Sequence, residues 1–141
     1  MRRIVALALA PLLLAACEPA GPGGGTGGGG AVPLGDYQLL RMGGQDVEAA
    51  HVTLLLEDGR ISGGGFCNHY TGAQSADLPA LAIGPLGSTM MACIGDRMAQ
   101  DGIYLQALEA ANAASFAGGR LTISGAGPDL VYEPHVPDAR D

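Results

Sequence analysis

The sequence predicts an α+β domain: a curled antiparallel β-sheet, or partial barrel, with one helix packed across it. Three observations carry this. Short β-branched and apolar runs broken by turn signals occupy residues 37–63, a stretch of helix formers follows at 96–114, and two more short alternating runs lie at 120–133. Strands, then one helix, then strands again is the element order of that class.

Tyr37 to Met42 (YQLLRM) reads as the first strand, entered from the turn-like PLGD. His51 to Glu57 (HVTLLLE) is β-branched and apolar and runs into Asp58-Gly59, a favoured two-residue hairpin turn, after which Arg60 to Gly63 returns as the partner strand. Beyond it, LPALAIGPLGSTMMAC holds short alternating pieces, with Leu81 and Ile83 on one side and Pro79, Pro85 and Gly87 as punctuation. Asp96 to Ala114 then changes texture: Asp101, Leu105, Leu108 and Asn112 fall at helical intervals, Asp96 is placed to cap the start, and Gly102 weakens the first turns and marks where the regular helix begins. Asp101 and Glu109 stand two helical turns apart and read as part of a solvated face rather than an acid–base pair. Arg120 to Ser124, a turn at GAGPD, and Leu130 to Glu133 make a second hairpin; the tail 135–141 (HVPDARD) reads as flexible.

Upstream of the domain the sequence carries an address. MRRIVALALAPLLLAAC has two arginines, an apolar run from Ile4 to Leu14 containing Pro11, two alanines and Cys17. The run is too short for a membrane-spanning helix, which needs about 20 residues. Residues 1–16 therefore read as a secretory signal, and the ending LAAC is similar to a bacterial lipobox, which makes Cys17 the lipidated N-terminus of the mature chain. Two or more acyl chains hold a protein stably at a membrane where one does not. Residues 17–33 continue as a linker with eight glycines between Gly21 and Gly30, a flexible spacer rather than a phosphate loop, since no lysine and no helix follow it. Glu18 after the lipidated position favours the outer membrane over the inner one, placing the domain in the periplasm.

The rest is one small domain, 34–134. Formal charge is −7, there is no lysine, and loss of Arg2 and Arg3 makes the mature chain more acidic still, so nucleic acid is not an expected partner of the domain. With two phenylalanines, four tyrosines and no tryptophan, the core is built mainly from aliphatic residues, and a covalent brace suits it.

That brace is one of three readings of GFCNHYTG and STMMAC. Setting Cys17 aside leaves Cys67 and Cys93, an even number in an oxidising compartment, which most simply form a disulfide. It would close a loop of about 27 residues, for which the chain-entropy model gives about 3.5 kcal/mol. The second reading is a soft-metal site from Cys67, His69, Met90, Met91 and Cys93, better suited to copper than to zinc, although the C-x-x-C spacing of structural zinc is missing. The third is a Cys67 nucleophile served by His69, His51 or His135, for which no residue pattern supplies an oxyanion site or orienting group. His69 otherwise reads as an exposed loop histidine.

GFCNHYTG, then STMMAC, then a helix with YLQAL resembles the META domain of HslJ-type heat-shock lipoproteins. Gly65, Cys67, Asn68, Tyr70 and Gly72 match the family's first block, and Thr89, Met91, Ala92 and Cys93 its second. Phe66 stands where a small residue is common, Met90 where arginine is usual, Tyr37 in place of an opening tryptophan, and Asp101 as the acidic residue before the helix. The resemblance covers about Leu34 to Pro134. It implies an envelope or secreted protein tied to stress, with no established reaction, cofactor or ligand. The expectation is a non-catalytic protein with no cofactor, tethered to the membrane and acting on an envelope protein or small ligand.

Overall fold

The computed structural model describes residues 30–136; the signal, Cys17, most of the linker and residues 137–141 lie outside the described residues. Its framework is a curled antiparallel sheet of nine strands with one helix, the architecture expected. The strands are β1 (Gly35–Met42), β2 (Gln45–Asp46), β3 (Thr53–Glu57), β4 (Arg60–Gly64), β5 (His69–Ala73), β6 (Gly87–Ser88), β7 (Ala111–Ala117), β8 (Arg120–Gly125) and β9 (Leu130–Pro134), with α1 at Arg97–Glu109. They run in the order β6-β5-β4-β3-β1-β9-β8-β7, and β2 pairs β1 alone. Both expected hairpins form. Glu57 faces Arg60 across Asp58-Gly59, where Gly59 adopts φ +76 as the tight turn requires, and Leu121 pairs with Tyr132 across the second.

Alternation explains the core. Tyr37 and Leu39 of β1, Leu54 and Leu56 of β3, Ile61 of β4, Tyr70 of β5, Leu121 and Ile123 of β8, and Leu130 and Tyr132 of β9 all point inward and are buried. The curled sheet leaves a gap between β5 and β7, and the segment carrying Leu81 and Ile83 crosses it. Gln74 bridges Ile83 on one side and Ala80 bridges Ala113 on the other, with Leu81 N–H donating to Asn112 O at 3.0 Å and Ala114 N–H to Pro79 O at 2.7 Å. Buried Gln74 ties this segment down: its Oε1 accepts from Ala82 N (2.8 Å) and its Nε2 donates to Ala76 O (2.7 Å).

Several expectations need correction. The helix ends at Glu109, and Ala111–Ala114 belong to β7, a strand the sequence conceals. ANAASF is alanine-rich and intrinsically helix-forming, but it gains a full antiparallel partner in β8, and tertiary pairing outweighs propensity. Gly125 permits the switch, since a Cβ there would collide with the backbone of Ala110 and Ala111. Gly102 does not set the helix start, which lies at Arg97, and Asp96 occupies the N-cap position without a side-chain capping bond; its backbone carbonyl accepts from Gln100 N instead. β5 is a further strand not foreseen, so His69 is exposed as expected but sits on a strand. His51 lies outside β3, at φ 52 after a short 3-10 turn at Glu48–Ala50.

The helix meets the sheet through a ladder of buried hydroxyls. Tyr132 OH donates to Tyr104 OH (3.1 Å), Tyr104 and Tyr70 hydroxyls lie 2.8 Å apart, and Tyr70 OH donates to Thr53 O (2.8 Å). If each hydroxyl donates once, the chain runs in one direction from Tyr132 to the backbone of β3, with every proton used. Tyr104 also packs edge-on against Phe66 and Tyr70, at centroid distances of 6.0 and 5.6 Å.

Desolvation holds the phenols of Tyr70, Tyr104 and Tyr132 well above their ordinary value of 10.0; repulsion from a neighbouring phenolate adds to the shift, and a hydrogen bond from the adjacent phenol opposes it in Tyr104 and Tyr132. The folded state thus keeps these protons after the unfolded chain has released them. Their stabilising contribution is complete below pH 10 and declines above it, by about 1.4 kcal/mol per pH unit for each tyrosine. Alkaline titration is expected to show tyrosinate absorbance rising in one cooperative step together with loss of far-ultraviolet circular dichroism. Three tyrosines ionising gradually within an intact fold would contradict this.

Candidate functional site

The motif residues assemble between β4, β5 and α1. After β4 the chain reverses at Gly65–Asn68, where Gly65 N–H donates to Asn68 O at 2.7 Å. This turn places Cys67 and Asn68 over the first half of the helix, where Asp101 receives them. Asp101 Oδ1 accepts from Cys67 N (3.2 Å) and Oδ2 from Asn68 Nδ2 (2.8 Å). Asn68 Oδ1 then reaches the second motif block, accepting from Met91 N (2.7 Å) and from Thr89 Oγ1 (3.2 Å). Thr89 Oγ1 in turn accepts from His69 N (3.1 Å). One buried amide and one buried carboxylate therefore tie together the turn, the helix and the strand-like segment 87–91.

Asp101 does not lie on a solvated face: it is buried, 3% exposed, while Glu109 is exposed and accepts from Leu86 N (2.8 Å). The helical intervals in the sequence identified the inward face but not the polar partner waiting there. Gly65 is the condition for this arrangement, since a Cβ on it would collide with Asp101 Oδ1. Gly72 serves similarly on β5, where a Cβ would run into the Leu86 side chain.

Cys67 and Cys93 are joined as a disulfide, S–S 2.00 Å and Cα–Cα 5.9 Å, as the first of the three readings of the cysteines expects. With both sulfurs bonded to each other, neither is a thiolate ligand nor a nucleophile in this structure. Cys67 is buried beside the helix, with Met98 Sδ 3.4 Å from its sulfur, while His69 projects outward on β5. His51 and His135 lie on other elements and do not join this cluster: His135 N–H donates to Asp36 O at the β9 end of the sheet. Among the described residues, no group of three or more His, Cys, Asp or Glu side chains comes together as a metal site. Met90, Met91 and Met98 are exposed around the disulfide, and Ala92 is exposed between Met91 and Cys93. Met91 contributes to the cluster through its backbone N–H. Tyr37, where the family's tryptophan is expected, is buried and donates to Pro33 O at 2.7 Å.

A second feature lies on the opposite side of the same strands. The outer face of β3 to β6 holds an open groove of about 710 Å³, lined by Thr53, Ser62, Thr71 and Ser88, by Tyr70, and by Gly64 and Gly87, which leave backbone bare. Arg60 supplies the charge of the lining, and His69 adds an imidazole able to hydrogen-bond. Arg60 Nε donates to Thr71 Oγ1 at 3.2 Å, which turns the guanidinium along the groove. No sequence motif pointed to this groove; its signal is only the outward set of β4 and β5, which the notice of β5 as a strand would have supplied.

A curled sheet stapled to a helix through G-x-C-N-x-Y and T-x-M-A-C blocks defines a META-type fold. The family model for the META domain matches residues 31–135, and the chain belongs to that family. Two solved structures share the fold. One, described as an NMR structure of the protein from Burkholderia xenovorans, has a TM-score of 0.59 at 22% identity, covering 73% of this chain and 83% of that one. The other, described as an NMR structure of the protein, has a TM-score of 0.58 at 21% identity, covering 70% of this chain and 87% of that one. At such identity the likeness establishes fold alone. No curated protein matches the chain.

Two outcomes follow for the cluster. Asp101→Ala leaves the buried Cys67 N–H and the Asn68 amide without a partner, and chemical denaturation is expected to show a loss of about 2–4 kcal/mol. Cys67→Ser and Cys93→Ser are expected to destabilise alike, each by about 3.5 kcal/mol, with the double variant costing no more than either single one; unequal singles or additive losses would contradict a brace.

Proposed function

We propose that this chain is a lipid-anchored protein of the bacterial cell envelope, tethered through Cys17 and held at the outer membrane facing the periplasm. Its META domain acts there as a non-catalytic binding module that supports stress tolerance or envelope integrity by engaging an envelope protein or a small ligand. One observation carries the non-catalytic reading. The side chains best suited to chemistry, Cys67, Cys93, Asp101 and Asn68, are bonded to one another inside the fold. Covalent catalysis needs a free nucleophile beside a base and an oxyanion site, and a disulfide sulfur is not that nucleophile. A domain whose reactive groups are committed internally works through its surface.

Support for the anchor comes from the order of charge, apolar run, alanines and Cys17, followed by a glycine-rich spacer long enough to let the domain move clear of the bilayer. Metabolic labelling with palmitate and membrane fractionation test it. Wild-type chain is expected to carry label and sediment with membranes, and Cys17→Ser to lose both; unlabelled, soluble wild-type protein would contradict the anchor. The non-catalytic reading is tested by Cys67→Ser at a temperature where it remains folded. It is expected to keep its contribution to stress tolerance, and loss of that contribution from a folded variant would point to chemistry at the sulfur.

A further inference from the structure

We propose that the outer groove of β3 to β6 is a binding site for an extended, hydroxyl-rich anion of the acidic oligosaccharide class. This rests on the reading of the domain as a binding module and names the ligand of its surface.

The first ground is charge. The chain has twice as many acidic as basic residues, 14 Asp and Glu against 7 Lys and Arg, yet the groove is lined by Arg60 and His69 and by no Asp or Glu. Glu57 stands opposite Arg60 in the β3–β4 register but is not part of the lining, and Arg60 is turned from it toward Thr71. A cleft without acidic groups on an acidic protein favours an anion over a cation.

The second ground is unmet hydrogen-bonding capacity. In the motif cluster every polar side chain is engaged within the fold. In the groove, among the described residues, the Ser62 and Ser88 hydroxyls and the His69 ring have no protein partner, and Arg60 uses only Nε, leaving its terminal N–H groups free. Hydroxyls both donate and accept, so these groups match a ligand that carries hydroxyls along its length and a carboxylate at intervals.

The third ground is length. Arg60 pairs with Ala73 and Gly64 with His69, so the arginine and the histidine stand four residues apart along the ladder, about 13 Å. Arg60 reaches back along the groove to Thr71, and a single inorganic anion leaves most of a groove of about 710 Å³ empty, whereas a short chain of acidic sugars can lie along it. Bare backbone at Gly64 and Gly87 gives such a chain a flat surface to lie against, and the one phenol ring of the lining, Tyr70, is committed to the core with only 3% exposed.

The test is an amide NMR titration of the oxidised full chain bearing Cys17→Ser, using a tetrameric uronic acid, a neutral tetrasaccharide of the same linkage, and inorganic phosphate. The uronate is expected to move the amides of Gly63, Gly64, His69, Thr71 and Ser88. Arg60→Gln and His69→Gln, both on exposed side chains, are each expected to weaken it about tenfold with an unchanged melting temperature. Arg120→Gln, on β8 away from the groove, is expected to leave binding as it was. Absence of shifts in the groove at millimolar uronate, equal binding by the neutral sugar or by phosphate, or wild-type affinity in both groove variants would overturn the proposal. None of these results depends on lipidation of Cys17 or on a protein partner, so failure here is distinct from failure of the anchored-module reading.

Discussion

The buried carboxylate of Asp101 is the constraint on which the rest of the domain depends. It is the one side chain of the helix that binds both residues of the Cys67–Asn68 step, and Asn68 is in turn the one that holds the second motif block. Without that carboxylate, two buried donors would face apolar surroundings, at a cost of about 1–3 kcal/mol each. With it, the turn after β4 sits at a fixed height over α1, and Cys67 and Cys93 lie within bonding distance. The covalent bond and the hydrogen bonds thus reinforce each other. The bridge restricts the unfolded chain, and the polar cluster fixes where its two ends meet in the folded one.

A second polar device runs through the core. All four tyrosines are buried, and three of them form the hydroxyl ladder that ends on Thr53 O. In a chain without tryptophan these rings supply the large apolar area an aliphatic core of this size lacks, and their hydroxyls find partners in each other. Among the described residues no buried side-chain nitrogen or oxygen is left without a partner. A fully satisfied interior of this kind specifies one packing, since any shift of α1 along the sheet breaks the ladder and the Asp101 cluster together.

Much of this was legible in the sequence, and the remainder was hidden for identifiable reasons. The class of fold and both hairpins followed from alternation and from Asp58-Gly59, because local turn chemistry and period-two burial act over a few residues. The pairing of Cys67 with Cys93 followed from compartment and count. β7 was not legible, since alanine favours helix in isolation and only pairing with β8 reveals it as a strand. β5 was obscured by the motif it carries, where His69, Thr71 and Gly72 do not alternate as apolar and polar residues. The burial of Asp101 ran against the ordinary preference of carboxylates for water, and its partner Asn68 lies 33 residues away, beyond what periodicity can register. The family motif, by contrast, names residues that meet in space, and it is in this cluster that sequence pattern and geometry agree most closely.

The molecule therefore divides its polar groups in two. Those of the motif are spent inside, on the join between turn, helix and segment 87–91, and those of the outer groove remain available to solvent. The most direct measurement of the inner half is native-state hydrogen exchange at three amides of the cluster, those of Gly65, Cys67 and Met91. They are expected to exchange only through global unfolding, as slowly as the amides of β1 and β8. Exchange at the rate of an open surface loop in the oxidised protein would contradict the view that this cluster organises the fold.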